Sequence, residues 1–293
     1  MPSRSEERVI TPGVLREWPL PDPQGGKESR GTVLVVGGSR HTPGAALLAG
    51  VAALRAGAGR LQLAVTESTA AALSIAVPEA MVVGLPETNR GAVAGDVGRD
   101  VPDRLLELAA AADVLAIGPG LDDVEETGRL LHRVLDAAGK QAAIVLDAYA
   151  LGALSKEPDL LAGRTQPVVL TPNIVEAEHL LGRAPGDDLA AEAMALAQRY
   201  GSTVSLYGHI AAPDGRAWRE ESGDAGLGTS GSGDVRAGIV AGLLGRGADP
   251  AQAACWGAFA HAVSGQRLAP RYGRTGFLAR ELVDEVAYTI ATV

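Results

Sequence analysis

Short apolar runs and longer amphipathic stretches alternate along almost the whole chain. Runs of four to six mostly aliphatic residues read as buried strands at 32–36, 60–65, 78–83, 113–117 and 142–146, with another from Pro167. Helical spacing fills the intervals, predicting helices from the first glycine loop to 56, then over 68–75, 102–112, 123–138, 174–182 and 188–200. Residues 84–101 are polar and glycine-rich and read as a surface loop. Three short segments, 203–206, 209–212 and 216–218, read as antiparallel strands, with Pro213-Asp214-Gly215 turning between the last two. Beyond them, Val235, Ile239 and Leu243 mark a helix that begins near Gly233, and helices follow over 250–267 and 277–291. Residues 1–30 are polar and proline-rich and form an N-terminal arm anchored by Val9, Ile10, Val14, Leu15 and Trp18, with one short helix around 13–17. The alternation predicts an α/β fold: one doubly wound, mostly parallel sheet with helices on both faces, spanning 31–293. No internal repeat, linker or low-complexity segment interrupts it.

Composition sharpens this picture. The 293 residues are 46% hydrophobic but only 3% aromatic, so the core is built from small aliphatic side chains, which suits helices lying on a parallel sheet. A net charge of −9 argues against a nucleic-acid surface. The lone Cys255 excludes an intrachain disulfide and lies in an alanine-rich helical run, where a packing role is expected. No stretch is long and apolar enough for a membrane span, and the first residues carry no signal-peptide core, so a soluble cytoplasmic protein is expected.

Candidate chemistry gathers where strands end and helices begin. The stretch from Gly226 to Gly233 is glycine, serine and threonine, and it feeds a helix. A helix start carries unpaired amides and a partial positive charge, and glycines let that backbone approach a phosphate. Asp234 is the one acid there, either a helix cap or a base that deprotonates a hydroxyl attacking a phosphoryl group. The loop is not a Walker motif, because no Gly-Lys-Ser/Thr follows. Gly37-Gly38-Ser39 follows the first strand and reads as an anion-binding loop or as a tight turn; it is not GxGxxG. Gly118-Pro119-Gly120 places another glycine loop at a strand end, where parallel sheets bind ligands. Asp147 ends a strand and suits either a metal or substrate contact or a cap. Asn173 and Glu176 lie three apart on one side of a first helical turn, a spacing that a capping box also explains.

In order, Gly37-Gly38-Ser39, Thr42-Pro43-Gly44-Ala45, Arg55–Gly59, Pro78–Val82, Gly118–Leu121, Leu146-Asp147-Ala148, Thr171–Glu176 and Gly231–Asp234 resemble the NAD(P)H-hydrate dehydratase family of the ribokinase-like superfamily. The resemblance covers about residues 10–290. It implies a repair activity in which ADP or ATP phosphorylates the hydroxyl of a hydrated nicotinamide coenzyme. Phosphate then leaves and NADH or NADPH is restored. By the same resemblance, Asp234 is the base and also contacts substrate, together with Ala45, Gly120 and Asn173. Gly231, Ser232 and Gly233, with Thr229 and the hairpin residues Tyr207, Gly208 and His209, would bind the adenine nucleotide, and Glu176 would act on Mg²⁺ through water. Related proteins are often tetramers, so a homo-oligomer is expected.

Three positions depart from the family pattern. Tyr149 replaces a second acid after Asp147, Tyr207 replaces a lysine before Gly208, and Arg236 stands where leucine is usual. A lysine beside phosphates supplies a full charge that tyrosine lacks, and a protonated His209 could replace part of it. Arg236 would be a phosphate ligand or an exposed side chain near a subunit contact. A small-molecule kinase that keeps its phosphorylated product, and a non-catalytic nucleotide-binding protein, are the alternative readings. Thr42–Ala45 and Gly118–Gly120 favour the dehydratase over the kinase, whereas Tyr149 and Tyr207 favour the non-catalytic reading.

Overall fold

The computed structural model describes residues 7–22, 25–96 and 104–293. Among them are ten strands in one sheet, ordered β1-β10-β9-β8-β7-β6-β5-β2-β3-β4. β2 (Thr32–Val36), β3 (Arg60–Thr66), β4 (Ala80–Leu85), β5 (Val114–Ile117), β6 (Ala143–Leu146), β7 (Val168–Leu170) and β8 (Thr203–Leu206) are mutually parallel. β9 (His209–Ala211) alone runs against them, pairing antiparallel with both β8 and β10 (Ala217–Arg219). β1 (Arg8–Val9) lies parallel to β10.

Alternation within each strand divides the core. Val33 and Val35 of β2 face one cluster, and Leu34 and Val36 face the other. The first cluster is closed by α2 (Pro43–Ala56), α9 (Ser232–Gly245), α10 (Pro250–Tyr272) and α11 (Ala279–Ala291), with Leu73 of α3 (Glu67–Ala76) at its margin. The second is closed by α4 (Arg104–Ala111), α5 (Val124–Ala137), α6 (Tyr149–Lys156), α7 (Ile174–Leu181) and α8 (Leu189–Tyr200). A sheet buried on both faces explains why its strands read as continuous apolar runs rather than alternating ones.

The N-terminal arm does more than cover the core. After α1 (Pro12–Glu17), the Trp18 carbonyl accepts hydrogen bonds from Gln252 and Trp256 of α10, and the Trp18 ring stacks on Trp218 of β10 with centroids 5.6 Å apart. β1 is too short to leave a periodic signal. α6 also went unpredicted: its eight residues include Gly152 and Ser155, poor helix formers, and it starts abruptly after Asp147. α10 runs past the expected end at 267 to Tyr272, because Pro270 falls in its last, exposed turn, where few further helical bonds remain to be lost. Residues 97–101 of the predicted 84–101 loop and 102–103 of the predicted 102–112 helix lie outside the described residues, as do 1–6 and 23–24 of the arm.

The chain runs from β2 out to β3 and β4, then returns to lay β5 on the other side of β2. The loops after β2 and β5 therefore diverge at a topological switch point, the place where an open parallel sheet forms a ligand crevice.

Candidate active site

Two glycine loops meet at this switch point. The Gly38 amide donates to the Pro119 carbonyl at 2.8 Å, and the Ser39 amide donates to the Gly120 carbonyl at 2.7 Å. The Thr42 hydroxyl also donates to the Gly120 carbonyl at 2.8 Å. A Cβ at Gly120, whose φ is +73°, would lie 2.9 Å from the Ala45 Cβ. Ala45 and Gly120, predicted together from distant stretches, are thus neighbours. A side chain at Gly37 would overlap the Pro119 carbonyl, so the first loop is also a tight packing turn.

The Gly231 turn lies alongside. Gly231 takes the left-handed conformation (φ +87°) as N-cap of α9, and no side chain caps the helix. A Cβ on Gly231 would come 2.6 Å from Leu48 of α2, so the turn is pressed against the helix that begins with Pro43 and carries Ala45. Ser232, Gly233 and Asp234 form the first turn of α9, and its leading amides lack intrahelical partners. The Ser232 amide donates to the Thr229 carbonyl at 3.2 Å, closing the loop that ends in Thr229. Asp234 is not the cap. It stands third in the helix, half-buried, and among the described residues no hydrogen bond or ion pair engages its carboxylate. Burial first, and the nearby Glu176 charge second, push its pKa up to about 6. A carboxylate poised near neutrality at an open helix start has the properties of a general base.

Beneath it lies a charged cluster. Asp147 is 5% exposed, and its Oδ1 accepts a 2.6 Å hydrogen bond from the Thr171 hydroxyl. Burial, reinforced by Glu176, raises its pKa to about 8. It caps nothing with its side chain; the residue at the start of α6 is Ala148, held at φ +49°. Asn173 and Glu176 do form a reciprocal capping box on α7. The Glu176 amide donates to Asn173 Oδ1 at 2.9 Å, and Glu176 Oε2 accepts the Asn173 amide at 2.8 Å. Burial also raises the Glu176 pKa.

Arg236 is neither exposed nor aimed at the helix start. Its Nη2 donates to the Thr171 carbonyl at 2.6 Å and reaches the Pro172 carbonyl at 3.4 Å, while its buried Nε has no partner. Desolvation lowers its pKa, and the facing Asp147 and Glu176 oppose that shift. Its guanidinium is thus anchored on the carbonyls of the 171–172 turn, with the charges of Asp147 and Glu176 nearby.

Tyr207, Gly208 and His209 sit together on the β8–β9 hairpin. Tyr207 and Gly208 both take positive φ (+48° and +90°), the geometry of a tight two-residue turn, and the Tyr207 ring is 71% exposed. The Gly208 carbonyl accepts the Glu220 amide at 2.8 Å, and the Glu220 carboxylate accepts the amides of Ser222 and Gly223. These residues are tied to the 220–223 segment rather than to the Gly231 turn. His209 Nδ1 lies 2.7 Å from a Glu7 carboxylate oxygen, so this ring nitrogen is engaged by the N-terminal segment. Cys255 is buried with its thiol pKa pushed up by desolvation, consistent with packing alone.

Among the described residues no three His, Cys, Asp or Glu side chains could jointly hold a metal ion. Glu176 keeps one carboxylate oxygen outside its capping box, which fits contact with a hydrated cation rather than a protein cage.

A doubly wound sheet with an open helix start beside its switch point, and an unpaired carboxylate on that start, is the layout of a phosphate-handling α/β enzyme, and the solved structures that superpose on it are ribokinase-like. The family model described as NAD(P)H-hydrate dehydratase matches residues 33–287. The chain belongs to this family. It is 46% identical over 290 residues to the ADP-dependent (S)-NAD(P)H-hydrate dehydratase of Xanthomonas campestris, covering 95% of this chain and 94% of that one. It is 35% identical to the bifunctional NAD(P)H-hydrate repair enzyme Nnr of Escherichia coli, covering 92% of this chain but 49% of the relative. The chain therefore spans about half the length of that bifunctional protein. The Bacillus subtilis ADP/ATP-dependent NAD(P)H-hydrate dehydratase, co-crystallised with ATP and Mg²⁺, superposes with a TM-score of 0.78 at 27% identity, covering 98% and 99% of the two chains.

The residues that sequence reasoning missed are Thr171 and His261. Thr171 holds Asp147, and His261 Nε2 lies 2.7 Å from the Ser232 hydroxyl. His261 carried no local signal, because it lies inside an alanine-rich helix 29 residues from its partner.

Proposed function

We propose that this protein is an adenine-nucleotide-dependent dehydratase of the (S)-hydrates of NADH and NADPH. The observation that carries the reading is the unpaired, half-buried Asp234 on the uncapped start of α9, beside the loops of the switch point. The amides of Gly231 and Gly233 hold the transferred phosphoryl group, with Ser232, whose own amide is bonded to the Thr229 carbonyl, lining the same turn. Asp234 takes the proton of the hydrate hydroxyl as its oxygen attacks phosphorus and the nucleotide leaves. The new C–O–P linkage makes phosphate the leaving group, a far better one than hydroxide. Loss of phosphate with a ring proton restores the reduced nicotinamide. Ala45, Gly120 and Asn173 contact the hydrated coenzyme, and Tyr207, Gly208, His209 and Thr229 contact the nucleotide. Glu176 would hold a hydrated Mg²⁺ through water, and that ion would supply charge neutralisation of the phosphates. ADP or ATP serves as phosphoryl donor, as the names of the Xanthomonas and Bacillus relatives indicate for those proteins. The protein works as a cytoplasmic homo-oligomer, a state that sedimentation measures directly. No described helix is long and apolar enough to cross a membrane.

The test is nicotinamide absorbance during incubation with the (S)-hydrate of NADH, Mg²⁺, and ADP or ATP in turn. A nucleotide-dependent rise is expected. Folded protein that binds nucleotide yet gives no rise would shift the reading to a product-retaining kinase or a non-catalytic binder.

A further inference from the structure

The start of α9 contains a hydroxyl that does not serve it. Ser232 is the first helical residue and is 3% exposed. A serine hydroxyl in a first turn can accept from a neighbouring backbone amide. Here it turns inward, and its Oγ shares a 2.7 Å hydrogen bond with His261 Nε2. His261 stands in α10 between the buried Ala260 and Ala262 and is itself 9% exposed. Burial, with the Arg236 charge nearby, depresses its pKa to about 3, so the ring is neutral at any working pH. It offers a hydrogen bond without a charge that would compete for phosphate.

We propose that His261 is a positioning residue for the nucleotide phosphate site: by holding the Ser232 hydroxyl inward, it keeps the first-turn amides of α9 open for a phosphoryl group. The inference rests on the reading of Gly231–Gly233 as that site. Without His261, the hydroxyl is left buried and unpaired or swings onto the amides that phosphate would use. The first outcome costs stability and the second costs nucleotide affinity; the proposal requires the second, while the loops around Ala45 and Gly120 are untouched.

The experiment measures ADP binding by isothermal titration calorimetry, with KM values for nucleotide and hydrate and the unfolding midpoint. His261→Met fills the ring's space without a hydrogen-bonding nitrogen. It is expected to raise the Kd for ADP roughly ten-fold, the scale of one misdirected hydrogen bond, and to raise the nucleotide KM but not the hydrate KM. His261→Gln, which can still hold the hydroxyl, keeps the Kd within about three-fold of the wild type. Adding Ser232→Ala to His261→Met removes the competing hydroxyl and recovers most of the lost affinity. If His261→Met alone does not fold, the double variant, which leaves no buried partner unpaired, is still expected to fold and to bind ADP. A double variant that folds but binds no better than His261→Met, or not at all, overturns the proposal. So does a fall in the unfolding midpoint of His261→Met with an unchanged Kd. Gly233→Glu separates this inference from the reading beneath it. Position 233 is exposed, and a Cβ there meets nothing within 4 Å, so the variant folds and places a carboxylate at the helix start. Unchanged ADP binding by Gly233→Glu refutes the site itself. Lost binding by Gly233→Glu with retained binding by His261→Met refutes only the role of His261.

Discussion

Three carboxylates share the site, and their surroundings give them different tasks. Asp147 is sealed under Thr171, Glu176 is committed on one side to the start of α7, and the Asp234 carboxylate has no hydrogen-bond or ion-pair partner among the described residues. Asp234→Asn keeps shape and hydrogen-bonding reach but removes the proposed base, so turnover should fall by about 10³-fold or more while ADP binding survives. Near-normal turnover in that variant would refute the assignment. A base works ionised, so with the Asp234 pKa near 6 the proposed role requires kcat/KM to fall about ten-fold per pH unit below that value; a flat profile from pH 7 to 5 would contradict it. Asp147 affects stability with its own sign. Its folded pKa, near 8, lies above the ordinary 3.8, so the native state binds more protons than the unfolded chain between those values. This contribution is full below the ordinary value and is lost as pH rises through about 8, a slope approaching 1.4 kcal/mol per pH unit. Asp147→Asn should flatten the stability–pH curve over that window, as denaturant unfolding at several pH values would reveal. That Gly231–Gly233 and Asp234 share one helix start was legible in the sequence, because cap, turn and acid lie within four consecutive residues. Arg236 was misread because its partners are carbonyls 64 and 65 positions away, which no local pattern encodes.

At the scale of elements, the site depends on how closely α2 and α9 approach, since one begins beside Ala45 and the other at Ser232. Their contact is backbone against backbone: a Cβ at Gly238 would overlap the Ala49 carbonyl, and one at Gly242 the Ala53 carbonyl. Gly238→Ala should force the helices apart and cost about 1–3 kcal/mol of stability. It should also raise KM for both substrates, because the two loops move relative to each other. Unfolding and steady-state kinetics on the same preparation test both claims, and a variant that loses neither would show that the helices slide without penalty. The β8–β9 hairpin is the other element under test. Tyr207 sits in a turn that any L residue enters at some strain and points its ring to solvent, so lysine fits there equally well. Tyr207→Lys should tighten ADP binding several-fold by adding a charge beside the phosphates. Unchanged affinity in calorimetry would indicate that the nucleotide phosphates lie beyond this hairpin. The strands and long helices were readable because burial on both sheet faces writes continuous apolar runs and amphipathic stretches. β1 and α6 were not, since two residues and a glycine-containing eight-residue helix are held by tertiary contacts rather than by their own periodicity.

Across the whole molecule, the fold converts sequence distance into proximity at one line, the diverging ends of β2 and β5. Glycine loops separated by some eighty positions are laced together there by hydrogen bonds from Gly38, Ser39 and Thr42. That convergence follows from strand order, which alternation alone does not specify: the same pattern of strands and helices permits several orders. Only the succession of motifs pointed to the ribokinase-like arrangement in advance. A crevice built this way joins elements from both ends of the chain, so a ligand seated in it should stabilise the fold as a unit. ADP at about a hundred times its Kd should add ~2.7 kcal/mol to unfolding and raise the midpoint by roughly 4 °C. Asp234→Asn should keep this shift, because binding does not need the base, and Gly233→Glu should lose it, because the helix start is then filled by its own carboxylate. If ADP and ATP leave the wild-type midpoint unmoved at saturating concentration, the α9 start is not a nucleotide site, and the open amides beside the switch point must serve another anion.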